Sequence, residues 1–316
     1  MRIDLHSHSD ASDGTSPPQE VVRRARAAGV DVLALTDHDT TAGHAAAGRA
    51  AREAGLLLVP GMEMSCRRDG RSVHLLAYWF DPGNDALVRE CELIRRARDG
   101  RAAAMVGRLA ELGVPITMDM VTAVADGGVV GRPHIARVLA TLGVVATPDG
   151  AFTPEWIGTG GRAHVTRYAP DPARAVALVR AAGGAAVLAH PRRGHEMPDA
   201  WIAELAASGL TGLEADHPDH DDEARTQLRG LAADLGLVVT GSSDDHGELT
   251  GHRLGRESTT EEVYETLRAA ATNSGTTPSA PGTAPSAPGT APSAPGTAPS
   301  APATAPSAPR TATGSP

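Results

Sequence analysis

An α/β fold, either a barrel or a layered sheet, is what this chain predicts, because short apolar runs alternate with stretches of helical periodicity along most of its length. Two further observations shape the prediction. Histidines and carboxylates recur at or just past the apolar runs, where barrels build their sites. The alternation also breaks once in the middle of the chain and ends well before the C-terminus.

The apolar runs at 3–6, 32–36, 56–63, 73–79, 186–190, 212–215 and 237–241 each predict a strand. Between and after them, 17–28, 42–54, 172–182, 200–207, 221–235 and 260–271 carry apolar residues at helical spacing. Thr260 with Glu261 and Glu262 marks a helix start, where acidic groups oppose the helix dipole. From 85 to 170 only helical periodicity remains, at 85–112, 118–125 and 133–142. The barrel body is therefore expected at 1–84 and 171–271, and 85–170 is a helical insertion, an arm or lid on one domain. From 272 to 316 the chain is expected to be a disordered Pro/Ala/Ser/Thr/Gly-rich tail. It repeats Ser-Ala-Pro-Gly-Thr-Ala-Pro, and Arg310 is its one charge. Proline and glycine at that density forbid helix and ladder, and nothing in the repeat can bury a core.

Over 316 residues the net charge is -9, with acidic residues spread rather than blocked, which argues against wrapping duplex DNA. A nucleotide held by metals stays compatible with it. Cys66 and Cys91 are the only cysteines and form no CxxC, so a disulfide framework is excluded and a reducing cytoplasm is expected. No apolar stretch reaches membrane-span length and no signal pattern opens the chain, so neither membrane nor secretion is expected. Lysine is absent altogether, which excludes a Schiff base, a Walker lysine and a carbamylated lysine bridging two metals. Arginine remains for bidentate phosphate contacts.

The chemistry starts at His6 and His8. In a strand, residues two apart project from one face, so both imidazoles can aim at one point. After 32–36 comes Asp37-His38-Asp39, after the next run Gly61-Met62-Glu63-Met64-Ser65, after 186–190 comes Pro191, and after 237–241 comes Ser242-Ser243-Asp244-Asp245-His246. His74 opens its strand. Singly, each residue has an ordinary structural explanation, as a capped carboxylate, a core-edge histidine or a turn. Jointly they predict a polynuclear metal centre, and mixed imidazole and carboxylate ligation suits Zn2+, Mn2+ or Fe2+. Glu63 has two oxygens with which to bridge ions, and closely spaced ions generate hydroxide and clamp a phosphoryl oxygen.

The motifs Asp-Leu-His6-Ser-His8-Ser, Thr-Asp-His38-Asp, Gly-Met-Glu63-Met-Ser, Val-His74, Ala-His190-Pro and Ser-Asp244-Asp-His246-Gly together resemble the PHP (polymerase and histidinol phosphatase) phosphoesterases. The insertion and its run Gly131-Arg132-Pro133-His134-Ile135-Ala136 resemble the subgroup of the 3′,5′-nucleoside bisphosphate phosphatases and RNase AM type enzymes. The resemblance covers about residues 1–270. It implies a distorted (β/α)7 barrel with three divalent ions, commonly manganese. By the same resemblance His6, His8, Glu63 and Asp244 hold one ion, Glu63, His74 and His190 a second, and Asp13, His38 and His246 a third. Arg132 and His134 then reach the substrate phosphate, Arg132 as a fork and His134 as candidate general acid for the leaving group.

The chain departs from that pattern at Arg192, Arg193 and Gly194 after His190-Pro191, at Asp245, and in the acidic segment 215–220. Arg192 and Arg193 can offset the extra acid, and Arg192 is added to the substrate-binding candidates. The expected activity is hydrolysis of a phosphomonoester by metal-bound hydroxide, on the 3′-phosphate of a nucleoside 3′,5′-bisphosphate, or on short RNA from its 5′ end. The alternatives are a histidinol-phosphate type phosphatase, an amidohydrolase barrel, and a non-catalytic metal-binding module tethered by its tail. The missing lysine disfavours the amidohydrolase, and an intact set of nine ligand candidates disfavours the module.

Overall fold

The computed structural model describes residues 1–125, 130–193 and 197–272, the side chain of Asp99 excepted. The expected tail lies outside the described residues, save for Thr272, which closes the last helix.

Seven strands form one sheet in chain order, curled toward a barrel. They are β1 (Ile3–Asp4), β2 (Val32–Leu35), β3 (Leu57–Arg68), β4 (Arg71–Tyr78), β5 (Ala185–Leu188), β6 (Gly212–Asp216) and β7 (Val238–Gly241). The helices are α1 (Pro18–Ala27), α2 (His44–Ala54), α3 (Asp85–Glu111), α4 (Met118–Ala125), α5 (Arg132–Thr141), α6 (Pro172–Ala181), α7 (Asp199–Ala207), α8 (Asp222–Leu235) and α9 (Glu261–Thr272). The central strands are buried on both faces, which is why β2 and β5 read as unbroken apolar runs rather than alternating ones. Ile3, Leu5, Val32, Ala34, Val59, Leu76, Tyr78 and Val187 fill the barrel interior.

Neighbouring strands are parallel except around β4, which runs antiparallel to both β3 and β5. The cause is a tight turn at Asp69-Gly70, with φ of 46° and 80°, the pair of positive values that a two-residue hairpin turn requires. A hairpin thus stands where a crossover helix would otherwise be. It corrects two sequence expectations. Glu63 does not lie beyond a strand end and His74 does not open its strand, because β3 runs on to Arg68 and β4 starts at Arg71. Conversely β1 stops at Asp4, so His6 and His8 lie just past it instead of closing it.

Between β1 and β7 no ladder forms among the described residues. The edges meet through single bridges, Ser7 to Asp245 and Ile3 to Thr259.

The region 85–170 is helical as expected, and α3 ties it to the barrel. Asn84 caps α3 by accepting from the N–H groups of Ala86 and Leu87. Leu87, Cys91 and Ile94 from its first half pack under β3 and β4. Ala102, Met105, Val106 and Leu109 from its second half join Val121, Ile135 and Leu139 in a separate core. Farther along, Arg95 donates to the carbonyl of Asp39 and Arg98 to its carboxylate, so α3 grips the loop after β2.

Candidate metal centre

In the β3–β4 hairpin Ser65 faces His74 and Arg67 faces Ser72. Opposed residues share a face, and so do residues two apart. Glu63, Ser65, Arg67, Ser72 and His74 therefore line one face in successive rungs, while Met62, Met64, Cys66, Val73 and Leu75 pack the other against helices.

His6 and His8 are delivered by extended backbone beyond β1, with Ser7 between them turned away to donate to the Ala34 carbonyl at 2.7 Å. His6 Nε2 and His8 Nε2 lie 3.1 Å apart. Both reach Glu63 Oε2, at 3.1 and 3.0 Å, and Asp244 Oδ1, at 3.2 and 3.3 Å. Ligand atoms held about 2.0–2.1 Å from a tetrahedral ion would stand about 3.3 Å from one another. Four converging donor atoms at these separations fit one divalent cation. Asp244 Oδ1 and His8 Nδ1 are also buried without a hydrogen-bond partner, as unfilled ligand positions would be.

The other Glu63 oxygen, Oε1, meets His74 Nδ1 at 2.8 Å and His190 Nε2 at 3.1 Å. One carboxylate thus faces two groups of imidazoles. A third group gathers round Asp13, with His246 Nε2 at 3.4 Å and His38 Nε2 and His8 Nδ1 at 3.6 Å. All nine residues singled out in the sequence converge. Their grouping overlaps: His8 faces both the first and third groups, and His38 also approaches Glu63 Oε2 at 3.4 Å.

Burial raises a carboxyl pKa and lowers an imidazole one, and here opposite charge competes with it. Burial works against the His8 charge, yet Asp244 and Glu63 carry it up to about 10. His6 rises too, with burial outweighed by Asp244, Glu63 and Glu214. Glu63 and Asp244 are held well below the ordinary carboxylate range, their burial overcome by the surrounding imidazoles. Burial pushes His38 down to about 4. A cluster that stabilises positive charge so strongly suits divalent cations in the place of those protons.

Behind the cluster stands Glu214, which sequence reasoning missed, with His217 and Arg193 from the two segments where the chain departs from the family pattern. Glu214, fully buried on β6, accepts from His6 Nδ1 at 3.1 Å and from the His190 backbone N–H at 2.9 Å. It fixes which nitrogen of His6 faces the other ligands. Its signal was a carboxylate inside an apolar run. His217 Nε2 and Arg193 Nη1 reach Asp244 Oδ2 at 3.2 and 2.8 Å. His190 and Asp244 have φ of 24° and 48°, in a region L-residues rarely enter, so the loops after β5 and β7 hold strain at this site.

The expected substrate contacts separate. Arg192 donates to the Met197 carbonyl and to Asp199, so it is Arg193 that turns toward the cluster. His134 Nδ1 accepts from the Gly131 N–H at 3.0 Å, at the start of α5. Arg132 lies over Phe152 at 5.6 Å and lines a cleft beside the hairpin.

Comparison with known proteins agrees with this geometry. The PHP domain model matches residues 4–109. A 5′-3′ exoribonuclease of Haemophilus influenzae is 36% identical over 249 residues, covering 78% of this chain and 90% of that protein. A 3′,5′-nucleoside bisphosphate phosphatase of Chromobacterium violaceum is 33% identical over 255 residues, covering 79% and 89%. A solved structure from Bifidobacterium adolescentis, ascribed to a metal-dependent phosphoesterase, superposes with a TM-score of 0.74 at 35% identity, over 85% of this chain and 96% of that one. Likeness over nearly the whole length of such relatives, with the histidine and carboxylate cluster intact, places the chain in the PHP family: it is a metal-dependent phosphoesterase, a hydrolase of phosphoester bonds.

Proposed function

We propose that this phosphoesterase acts on nucleotides, removing the 3′-phosphate of nucleoside 3′,5′-bisphosphates or shortening small RNA from its 5′ end. The observation that carries this reading is Glu63, whose two oxygens each face a separate set of imidazoles. Such a carboxylate suits adjacent cations, and relatives of this chain are named for nucleotide and RNA substrates. We assign three ions, manganese first and zinc or iron as alternatives, to His6, His8, Glu63 and Asp244, to Glu63, His74 and His190, and to Asp13, His38 and His246. When bound, the cations supply an activated water and neutralise phosphoryl charge.

The protein's own groups do the rest. Glu214 and Asp244 orient the imidazoles, and Arg193 places a guanidinium at the edge of the cluster. The water oxygen bonds to phosphorus as the ester P–O bond breaks, and the leaving alkoxide takes a proton. With Nδ1 of His134 accepting, the neutral ring carries its proton on Nε2, the atom that would donate to that oxygen. Arg132 holds a phosphate oxygen, and the helical region 85–170 serves as arm or lid. Buried, unpaired Cys66 and Cys91 support a reducing cytoplasm as the place of work. Among the described residues no helix is long and apolar enough to cross a membrane.

The test is a metal count on the purified protein, then turnover of adenosine 3′,5′-bisphosphate, 5′-phosphorylated short RNA and histidinol phosphate with manganese. Preference for either of the first two supports the proposal. Turnover of histidinol phosphate alone, or of none with metal fully loaded, overturns it.

A further inference from the structure

The first half of α3 carries two kinds of arginine. Arg89 and Arg96 pair with Asp85 and Glu92 one turn earlier on the exposed side of the helix, contacts that steady the helix and little else. Arg95 and Arg98, three residues apart and so on one stripe, both reach out of the helix to a single residue, Asp39. Arg95 Nη1 donates to its carbonyl at 2.7 Å, and Arg98 Nη2 donates to its Oδ2.

Asp39 is fully buried, and each of its polar groups is engaged. Its N–H donates to the Glu63 carbonyl at 3.0 Å. Its Oδ1 accepts from the Ser65 N–H at 2.7 Å, and its Oδ2 from Ser65 Oγ at 2.9 Å. Arg98 Nη2 also donates to Ser65 Oγ at 3.0 Å, so guanidinium, hydroxyl and carboxylate close a triangle. The backbone of Asp39 has φ of 56°, in the left-handed region, a conformation that persists only where the surroundings enforce it.

This enforced turn directly follows His38. His6 has Glu214 behind its ring, but among the described residues no carboxylate outside the ligand groups bonds the ring of His38. His38 Nδ1 lies 3.4 Å from the Glu63 carbonyl and Nε2 lies 3.6 Å from Asp13. Its aim is therefore set by the main chain, through the single bridge between His38 and Glu63 and the clamped residue after it. Asp37, on the other flank, is held by Ser9 and Ser12 inside the barrel, whereas Asp39 is also held from the insertion.

We propose that Arg98 is a positioning residue for the metal centre: acting through Asp39, it keeps His38 aligned with Asp13 and His246, the third ligand group. The inference rests on the ligand groups assigned above and deepens that assignment. The helical region is then scaffold for the centre as well as arm or lid, because without the guanidinium a buried carboxylate stands unpaired at an enforced turn.

The test compares full-length wild type, Arg98→Met, His38→Ala and the double variant, each stripped of metal and titrated with Mn2+ against a chelating dye. Arg98→Met is expected to weaken, by about tenfold to a hundredfold, the same cation that His38→Ala weakens. Arg98→Lys should recover part of the loss, and the double variant should bind no worse than His38→Ala alone. Unchanged affinity in Arg98→Met, or losses that add in the double variant, overturns the proposal, because an arginine that only stabilises the fold acts independently of His38. Amide hydrogen exchange on the metal-free proteins reads the anchor directly. Residues 36–41 should exchange at least tenfold faster in Arg98→Met, and equal rates, or acceleration across the whole protein, overturn the proposal. Should Arg98→Met not fold, Arg98→Gln, which keeps an N–H donor without the charge, replaces it in both measurements. Should wild type bind no cation, the metal-centre reading falls, and exchange alone decides whether Arg98 anchors His38.

Discussion

The two ends of the β3–β4 face manage charge in opposite ways. At the inner end, imidazoles are matched by Glu63, Asp244, Asp13 and Glu214, and the central ligands are fully buried. At the outer end, Arg67, Arg101, Arg132 and Arg167 are half-buried, and no lining carboxylate opposes them. The difference teaches what each region lacks. Ligand atoms held 3.0–3.3 Å apart call for small cations between them. Guanidiniums converging without acids call for an anion.

The contrast can be broken most forcefully at Glu63, which serves two groups of imidazoles. Glu63→Gln is expected to lower kcat by about a thousandfold or more and to cost bound metal, measured by elemental analysis beside steady-state rates. Loss of rate with full metal content would place Glu63 in the chemistry instead of in the ligand set. One layer out, Glu214→Gln keeps a hydrogen-bonding group near His6 but removes its charge. Metal affinity should weaken by about tenfold to a hundredfold, read by competition with a chelating dye, and an unchanged affinity would make Glu214 a packing residue only. In the outer region the expected effect is smaller and falls on binding. Arg132→Met should raise KM about tenfold with kcat nearly kept, and a fall in kcat instead would move Arg132 from the cleft to the reacting phosphate. Smallest in scale, chelation of the wild type should lower Tm by about 5 °C, since cations bound to the folded state alone stabilise it by mass action. A chelator that leaves Tm unmoved would mean that the inner region is held by its own ion pairs.

How much of this the sequence disclosed follows from the range of the forces involved. Buried parallel strands announce themselves as apolar runs, so β2, β5 and β7 fall within a residue or two of their expected bounds. The nine ligand candidates were legible because each sits in a short motif, although the overlap of their groups was not. The hairpin was hidden by the polar tract Ser65 to Ser72, where one face packs into no apolar core. That concealed the extension of β3 and with it the interior positions of Glu63 and His74. Arg67, Arg101 and Arg167 lie in unremarkable segments, and only tertiary folding brings them to Arg132. Glu214 was passed over because its partner His6 is 208 residues away.

The unladdered seam between β1 and β7 has a consequence for how the protein is made. His6 and His8 are synthesised long before Asp244 and His246, which stand at the far end of the barrel sequence. For that time two candidate ligands are tethered to an unfinished barrel. A cation captured early would lack most of its ligands and exchange freely with the cell's metal pool. A centre built from all nine residues would span the seam, so it could be completed only when β7 docks.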